Sequence, residues 1–362
     1  MNEVKLDTAG LTDVLTRIFT AAGGAGDEPR VVAENLVGAN LAGHDSHGVV
    51  RTQRYCEWVR EGVCHWGRSL EMVVDADAFA LVDGQMGFGQ SLGIEAVALG
   101  LEKARKSGVS IIALRNAGHL GRIGEWAERA CAEGFVSIHF VNCYHSRLVA
   151  PFGAIERAMG TNPVAIGVPV ESGDFLLDFA TSTVAEGKVL VAKKGGKALP
   201  DGALVAPDGA LTTDPDVLYG PLAPGELPNP SKGPGAITAM GMHKGSGLSM
   251  ACEMLAGALT GSGTCGPDYA FKNGMLSIYI DPARMDDGHD WAAAARDYVD
   301  FVHSMKPRDP AEPVLVPGDP ERRRRRERAE ILPLPLDAWD SILASGVELG
   351  LDRAELAAMA ER

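Results

Sequence analysis

Hydrophobic residues recur at intervals of three and four positions near both ends of the chain, the spacing of one helix face. A first amphipathic helix is predicted by Leu11, Val14, Leu15, Ile18 and Phe19. It ends at Gly23, and a second helix follows Asp27, a predicted N-cap with Pro29 in the first turn. Because residues 338–361 are again periodic, we expect helices from both termini to pack together as one helical domain.

The middle of the chain alternates short apolar runs with helical periodicity, which predicts a mixed α/β core. Strands are predicted at 79–84, 109–114, 135–141, 164–170 and 275–281, and helices at 94–104, 124–134 and 248–258. Residues 193–234 are rich in Gly, Pro and Asp without periodicity, which predicts a long ordered loop. Such loops are more often functional than idle.

Charge and composition narrow the possible partners. The 48 acidic and 34 basic residues give a net charge of −14, and a negative field repels nucleic acid and anionic membranes. One basic run, Arg322 to Arg326, is flanked by glutamates and indicates a solvated helical face.

Neither the cysteines nor the N-terminus suggests export. The six cysteines include no C-x-x-C pair, and a chain of 362 residues needs no disulfide framework. The first residues lack a signal-peptide pattern, and no apolar run is long enough to span a bilayer. We therefore expect a soluble, cytoplasmic protein with reduced thiols and no membrane partner.

The stretch AGHDSHGVVR, residues 42–51, contains two histidines three positions apart. A metal site would need a third ligand, and H-E-x-x-H would also supply a glutamate base, whereas Asp45 and Ser46 complete neither pattern. We therefore expect no metal ion. A metal-dependent hydrolase built on His44 and His47 stays a distant alternative.

Helical spacing suggests another use for this stretch. If Ser46 caps a new helix, His47, Arg51 and Tyr55 fall on one stripe. Imidazole transfers protons near neutral pH, and guanidinium binds carboxylate through two hydrogen bonds. The set suits a carboxylate substrate whose carbonyl or hydroxyl changes protonation, although an exposed polar helix face explains the spacing equally well.

Glycine-rich segments offer further candidates. GFGQSLG, residues 87–93, approximates a dinucleotide fingerprint, but no acid follows about 20 residues later for a ribose, and a tight turn explains it as well. Lys244 in GMHKGSG either binds phosphate at a helix start or is solvated. His119 follows a predicted strand, among glycines that permit close approach of a ligand.

Together these segments resemble the type-2 malate/L-lactate dehydrogenases, NAD(P)-dependent oxidoreductases without a Rossmann fold. The resemblance is carried by DSHGVVR (45–51), NAGHLGRIGEWAE (116–128), LVAPFGAIERAMGTNPVAIGVP (148–169), LDFATSTVAEGK (177–188), LPDG and TTDP (199–215), HKGSGLSMACEMLAGALTG (243–261) and VLVPGD (314–319). LAGHDSHG, GRIGEWAE and GFVSIHFV resemble most closely the hydroxycarboxylate dehydrogenase B subgroup, which reduces 2-oxo acids of the phenylpyruvate type.

The resemblance implies an α+β fold, with a mixed sheet and a helical domain formed by both termini, in a homodimer. Its expected parts are 1–75 (helical), 76–300 (cofactor-binding, with the loop 193–234) and 301–362 (returning to the helical domain). It implies NAD, or alternatively NADP, as cofactor. The implied cofactor contacts are His47, Gly121, Arg122, Ile123, Asp178, Phe179, Ala180, Thr181, His243, Lys244, Asn273, Pro317, Gly318 and Asp319.

The implied reaction interconverts a 2-hydroxy and a 2-oxo acid, with His47 first and His119 second as proton donor. The other expected catalytic residues are Ser46, Arg51, which would grip the carboxylate, and Tyr55. A ureidoglycolate dehydrogenase or a cyclic imino-acid reductase stays an alternative within the family. The chain departs from the usual pattern at Asn116–Ala117, at 143–146 and at Asp319, which leaves the substrate and the exact cofactor contacts open.

Overall fold

The computed structural model describes residues 3–144, 146–193, 197–221, 229–266, 271–285 and 287–361. The helices are α1 Thr8–Ala21, α2 Glu28–Leu41, α3 Thr52–Arg60, α4 Gly89–Ser107, α5 Gly124–Ala132, α6 Glu186–Lys193, α7 Asp216–Tyr219, α8 His243–Cys252, α9 Trp291–His303, α10 Asp319–Arg328, α11 Leu336–Glu348 and α12 Arg353–Ala360. The strands are β1 Glu3–Asp7, β2 Glu71–Asp75, β3 Phe79–Asp83, β4 Val109–Ala117, β5 Val136–Tyr144, β6 Pro163–Val168, β7 Phe175–Ala180, β8 Leu204–Val205, β9 Leu211–Thr212, β10 Ala236–Ile237, β11 Lys272–Ile280 and β12 Ile331–Pro335.

The two ends of the chain share one hydrophobic core, as the periodicity predicts. β1 pairs with β12 in antiparallel register, with Leu6 opposite Leu332. Apolar residues of α1, α2, α11 and α12 fill the same cluster, which includes the fully buried Ile18 and the nearly fully buried Trp339. The short strands β1 and β12 escaped the sequence analysis because five residues carry little periodicity. At the start of α2, Asp27 makes no side-chain capping bond, contrary to expectation.

The central sheet has the strand order β2-β3-β4-β11-β5-β6-β7 and is mixed, because β3 and β4 are parallel whereas the other neighbours are antiparallel. Helices α4 and α5 pack on it around the buried Trp126. β11 inserts between β4 and β5 although it follows them by more than a hundred residues. This insertion brings the start of β11 beside the ends of both neighbouring strands.

The segment predicted as a long loop, 193–234, contains a short helix and, with β10, forms a small three-stranded sheet of order β10-β8-β9. Its residues 194–196 and 222–228 lie outside the described part of the chain. Arg157 anchors the described part, because its guanidinium donates to the carbonyl oxygens of Leu218, Pro230, Gly233 and Gly235. The loop is thus tied to the body of the protein.

All six cysteines are free thiols. Among the helices of the described ranges, none combines the length and the apolar character needed to cross a bilayer.

Candidate active site

The stretch 42–51 does not continue as one helix, so the prediction that Ser46 caps a helix through Tyr55 is wrong. Two 3₁₀ turns, Asp45–His47 and Val49–Arg51, precede α3, and Gly48 between them is extended. The cause is Asn40, which is fully buried and accepts a hydrogen bond from the Val49 amide at 2.8 Å. A Cβ at Gly48 would lie 1.9 Å from the Asn40 side-chain oxygen, so only glycine fits there.

The broken path nevertheless brings the predicted catalytic side chains together. The rings of His47 and His119 stack with centroids 5.6 Å apart and planes 10° apart. The Ser46 hydroxyl lies 3.0 Å from Nδ1 of His47, and the Tyr55 hydroxyl lies 2.7 Å from Nδ1 of His119. Each imidazole therefore has one nitrogen held by a hydroxyl group and one left for a ligand.

Both imidazoles are neutral at physiological pH. Burial lowers the pKa of His47 to about 3, and the nearby positive charge of Arg51 acts in the same direction. Burial also brings the pKa of His119 well below its usual value, again with help from Arg51. A neutral imidazole can accept a proton from a hydroxy acid without prior deprotonation.

Arg51 lies beside these rings, and the described residues hold its guanidinium at one point. Its Nε donates to the Ser46 carbonyl oxygen at 2.7 Å, which orients the guanidinium. Within the described ranges Arg51 makes no ion pair, so no carboxylate of those ranges balances its charge. A partly buried, unbalanced guanidinium is suited to bind a carboxylate ligand.

Aromatic residues that sequence analysis missed line the side of His119. Trp58 and Phe271 stack with centroids 4.7 Å apart, and the Phe271 ring lies 6.1 Å from that of His119. Trp58 also stacks on Tyr55 at 5.6 Å. Phe271 precedes β11, so only the insertion of that strand places it beside residues 119 and 58.

A second missed pair comes from α6 and α7. The hydroxyl of Tyr219, which is fully buried, donates to the carboxylate of Glu186. The neighbouring Gly187 packs so closely on Ser46 that a Cβ would lie 2.9 Å from the serine Cβ. Glu186 is within the quoted family segment 177–188, but nothing in the aperiodic loop singled out Tyr219.

Several expected cofactor contacts form one cluster around the loop that follows His119. Gly121 has φ +68°, and a Cβ there would lie 2.7 Å from the Asn35 side-chain oxygen. The amide of Gly124, at the start of α5, donates to Asp178 at 2.9 Å. The Leu120 amide donates to the Asn273 side chain at 3.0 Å. The loop Gly121–Ile123 is therefore flanked by β7 and β11.

Arg122 is nearly fully buried in this cluster. Its guanidinium pairs with Glu128 and lies 3.5 Å from Glu125, whereas its Nε has no partner among the described residues. The side-chain oxygen of Asn35, which lies close to Gly121, is also buried and has no partner among the described residues. Buried polar atoms without partners are costly, so these two mark a place for ligand hydrogen bonds.

The remaining expected contacts are distributed around this loop. Phe179 and Ala180 lie on β7, and the Thr181 hydroxyl donates to Thr161. The Pro317 carbonyl oxygen accepts from the Leu176 amide, so the segment Pro317–Asp319 runs beside β7. Asp319 pairs with His303 at 2.7 Å and with Arg322.

Two expected contacts are not joined to the histidines. His243 and Lys244 are exposed at the start of α8, where the His243 ring lies 6.0 Å from that of Phe152. Among the described residues, no contact connects His243 or Lys244 to His47 or His119. Their role in cofactor binding stays a prediction.

His44 turns away from His47. Its Nε2 lies 3.2 Å from a Glu321 carboxylate oxygen, and its Nδ1 lies 4.0 Å from one of Asp178. His44 thus links α10 to β7, which agrees with a structural role. Across the described ranges, no three His, Cys, Asp or Glu side chains are grouped to hold a metal ion.

Comparison with known proteins shows what the chain as a whole is similar to. Residues 6–343 match the family model for malate/L-lactate dehydrogenase. Hydroxycarboxylate dehydrogenase B of Escherichia coli O157:H7 is 36% identical over 99% of this chain and 98% of its own length. Sulfolactate dehydrogenase from Methanocaldococcus jannaschii has a TM-score of 0.84 at 28% identity, over 97% of this chain and 99% of its own. A Δ1-piperideine-2-carboxylate reductase from Pseudomonas syringae has a TM-score of 0.80 at 30% identity, over 95% of this chain and 100% of its own.

Proposed function

Because the chain belongs to the malate/L-lactate dehydrogenase family, we propose that it interconverts a 2-hydroxycarboxylate and a 2-oxocarboxylate with NAD(P) as cofactor. One observation carries this proposal: two neutral, stacked imidazoles lie beside an arginine that no carboxylate of the described chain balances. The arginine suits the substrate carboxylate, and the imidazoles suit the oxygen on the adjacent carbon. The same arrangement serves both directions of the reaction.

The residues around Gly121–Ile123 fit a nicotinamide cofactor. The unpartnered Nε of Arg122 and the unpartnered oxygen of Asn35 offer a buried donor and a buried acceptor at this loop. We prefer NAD to NADP, because Glu125, Glu128 and Asp178 already balance Arg122 and would repel an additional phosphate. When bound, the cofactor supplies or accepts the hydride.

The protein's own residues perform the remaining tasks. Arg51, held by the Ser46 carbonyl, binds the carboxylate and orients the reacting carbon. An imidazole then gives a proton to the 2-oxo oxygen, or takes one from the 2-hydroxyl. Sequence analysis placed His47 first in this role. The hydrogen bond from Tyr55 to His119 shifts our preference to His119, with His47 stacked on it as the second candidate.

The aromatic pair Trp58 and Phe271 supports an apolar or aromatic substrate side chain. These rings are stacked and adjoin His119, so they would contact the substituent beyond C2. We therefore propose a 2-oxo acid of the phenylpyruvate type rather than a dicarboxylate. A panel of 2-oxo acids should show the highest kcat/KM for aromatic members, and a preference for oxaloacetate would contradict the proposal.

A cyclic imino acid is the second candidate substrate. The likeness to the Δ1-piperideine-2-carboxylate reductase favours it, because that substrate also carries a carboxylate beside the reducible carbon. Ureidoglycolate stays a third possibility within the family. Including a cyclic imine and ureidoglycolate in the panel separates these activities.

Cofactor binding tests the proposal without any substrate. Titration with NADH and with NADPH, followed by nucleotide fluorescence, should show saturable binding with tighter binding of NADH. Binding of neither nucleotide would overturn the dehydrogenase proposal. Activity that is lost on chelation would instead favour the metal-dependent hydrolase.

Replacing each imidazole identifies the proton donor. His119→Asn should lower turnover by about 10² to 10⁴ while NADH binding is retained, because a general acid is lost. His47→Ala should also lower turnover but by a smaller factor. The reverse order would return the role to His47.

We also propose that the protein is a homodimer through the outer face of α8 and the π-helical turn after it. Met250, Met254 and Leu259 are 46%, 59% and 66% exposed on this face. The stretch 245–259 has one charged residue, Glu253, which is buried. In a chain of net charge −14, an uncharged apolar face is where two copies can meet with little repulsion.

A further inference from the structure

A chain of two hydrogen bonds runs behind His119, and the chemistry of its far end determines its direction. Nε2 of Gln90 donates to the Tyr55 hydroxyl oxygen at 2.7 Å, and that oxygen lies 2.7 Å from Nδ1 of His119. An amide nitrogen is only a donor, so the Tyr55 oxygen accepts from Gln90 and gives its own hydrogen to Nδ1. The proton of neutral His119 is therefore on Nε2.

The glycine segment GFGQSLG, residues 87–93, holds this chain in position. A Cβ at Gly89 would lie 2.4 Å from the His119 carbonyl oxygen, and the Gly118 amide donates to the Gly87 carbonyl at 2.8 Å. The start of α4 can therefore lie directly on the backbone of His119. Gln90 is consequently fully buried, with its amide directed at Tyr55.

The groups facing His119 do not favour a charged ring. Among the described residues, the titratable and charged groups around it are Tyr55, His47 and Arg51, and the Cys64 thiol lies near Tyr55. None of them is a carboxylate, and Arg51 is positive, so an imidazolium would be unbalanced. A neutral imidazole gives up its Nε2 proton readily only if a second donor protonates Nδ1, and Tyr55 is in place to do so.

We propose that His119 relays a proton from Tyr55 to the substrate oxygen, and that Gln90 is the positioning residue that keeps the phenol turned toward Nδ1. This mechanism rests on the proposed dehydrogenase function. In reduction, C2 gains the hydride supplied by the reduced cofactor while its oxygen takes the Nε2 proton. Nδ1 takes the phenol proton, and the phenolate accepts from Gln90 near Arg51. Because Tyr55 is almost fully buried and burial raises the pKa of its phenol, the phenolate recovers this proton from Nδ1 when Nε2, on the ligand side, takes a proton from solvent after product leaves. Oxidation reverses each transfer.

The tautomer can be measured in the cofactor-free protein. Nitrogen-15 NMR should show His119 protonated on Nε2 and not on Nδ1, with the resonance assigned by its loss in His119→Asn. Gln90→Met and Tyr55→Phe should each move the ring toward the Nδ1-protonated form, because the donor to Nδ1 is misdirected or absent. A wild-type proton on Nδ1, or an unchanged tautomer in both variants, would overturn the relay.

Kinetics test the relay in turnover. The kcat/KM for 2-oxo acid reduction should stay constant from about pH 6 to about pH 9, since no imidazolium is required. Tyr55→Phe should lower kcat/KM by about 10²-fold. In this variant kcat/KM should also fall tenfold for each unit by which the pH rises, because only a protonated imidazole could then donate. Proton inventories in H₂O/D₂O mixtures should be curved for the wild type and linear for this variant.

Tyr279→Phe is the matched control. Tyr279 is fully buried on β11, in ring contact with His139 rather than with the candidate site, and its replacement should leave the pH profile unchanged. If Tyr55→Phe fails to fold, Gln90→Met decides by its tautomer and its proton inventory. A Tyr55→Phe enzyme with the wild-type rate and profile would exclude the relay, whereas a protein that reduces no substrate would exclude the proposed function and leave the tautomer to NMR.

Discussion

At the residue scale, Arg51 is the residue whose replacement should affect substrate binding more than proton transfer. Its Nε donates to the Ser46 carbonyl oxygen, and this hydrogen bond fixes the orientation of the two terminal nitrogens of the guanidinium. Arg51→Lys keeps the charge but loses two-point binding of a carboxylate. We expect kcat/KM for the 2-oxo acid to fall by about 10²-fold, mostly through KM, because the hydrogen bonds to a charged group are worth about 1.5–3 kcal/mol.

Arg54→Lys is the matched control on the neighbouring helix. Arg54 is exposed and pairs with Glu57 at 2.9 Å, so its replacement should leave KM and kcat unchanged. Steady-state kinetics of the two variants with one 2-oxo acid make the comparison. Equal effects at the two positions would remove Arg51 from carboxylate binding.

Buried histidines also make the protein sensitive to acid. Burial lowers the pKa of His139 to about 3, as for His47, from an ordinary value of 6.5. Below pH 6.5 the unfolded chain therefore binds more protons than the native protein, so the free energy of unfolding falls as pH decreases from 6.5 toward 3. Each such histidine should contribute about 1.4 kcal/mol per pH unit within that window.

Urea denaturation at a series of pH values checks this sign and slope. His139 lies between the hydroxyls of Ser137 and Ser277 in the sheet, outside the candidate site. His139→Gln should reduce the slope of unfolding free energy against pH by about 1.4 kcal/mol per pH unit, the contribution of one histidine. The variant should still bind NADH. A slope that is unaffected, or stability that increases in acid, would contradict the assignment.

Sequence reasoning at this scale nominated His47, Arg51, Tyr55 and His119 as catalytic candidates, and part of its reason for grouping them was wrong. It placed the first three on one helix stripe, whereas the chain breaks at Gly48. The side chains meet because His119 arrives from the end of β4. Residue type was enough to nominate them, and tertiary contacts were needed to explain them.

At the scale of elements, α4 fits against its neighbours only because glycines occupy its packed face. A Cβ at Gly93 would lie 2.4 Å from the Trp126 ring, a distance that forces the ring or the helix to move. Gly93→Ala should therefore lower the free energy of unfolding by about 1–3 kcal/mol. Thermal or urea denaturation measures the change.

Gly38→Ala is the opposite case on another helix. Gly38 lies within α2, and a Cβ there would meet no atom within 4 Å. Helix propensity should then dominate and stabilise the protein by about 0.5–1 kcal/mol. If Gly93→Ala also stabilised the protein, the close packing of α4 would be refuted.

Periodicity predicted most helices and strands, because α1, α4, α5 and the sheet strands each bury one face or a continuous apolar run. It missed β1 and β12, which are short and pair only with each other. It also treated 193–234 as a loop, since two-residue strands leave no periodic pattern. Long elements that bury one face are therefore the ones that periodicity in a single sequence can predict.

At the scale of the whole molecule, the proposed dimer can be tested on its apolar face. Met254→Arg should shift the sedimentation mass from dimer to monomer, because a charge would be placed where two copies meet. Val347→Arg is the control, since Val347 is a similarly exposed apolar residue on α11. A monomeric wild type, or a dimer unaffected by Met254→Arg, would contradict the proposed interface.

The sequence by itself determined the elements and the chemistry available to the protein. Amphipathic spacing, turn glycines and the residue types in the quoted segments depend on neighbours along the chain, so they are visible in one dimension. Spacing predicted the mixed α/β core and nominated the histidine and arginine candidates, and the resemblance of whole segments to a known family implied the α+β class and the dehydrogenase activity.

Only the tertiary structure decided which of these groups act on one another. The insertion of β11 places Phe271 by His119, the packing of α4 directs Gln90 at Tyr55, and Arg157 anchors the loop that carries Tyr219. These contacts join residues far apart in sequence, and their geometry depends on strand order and close packing. GFGQSLG illustrates the difference: its spacing suggested a nucleotide turn, whereas its packing makes it the support of a histidine.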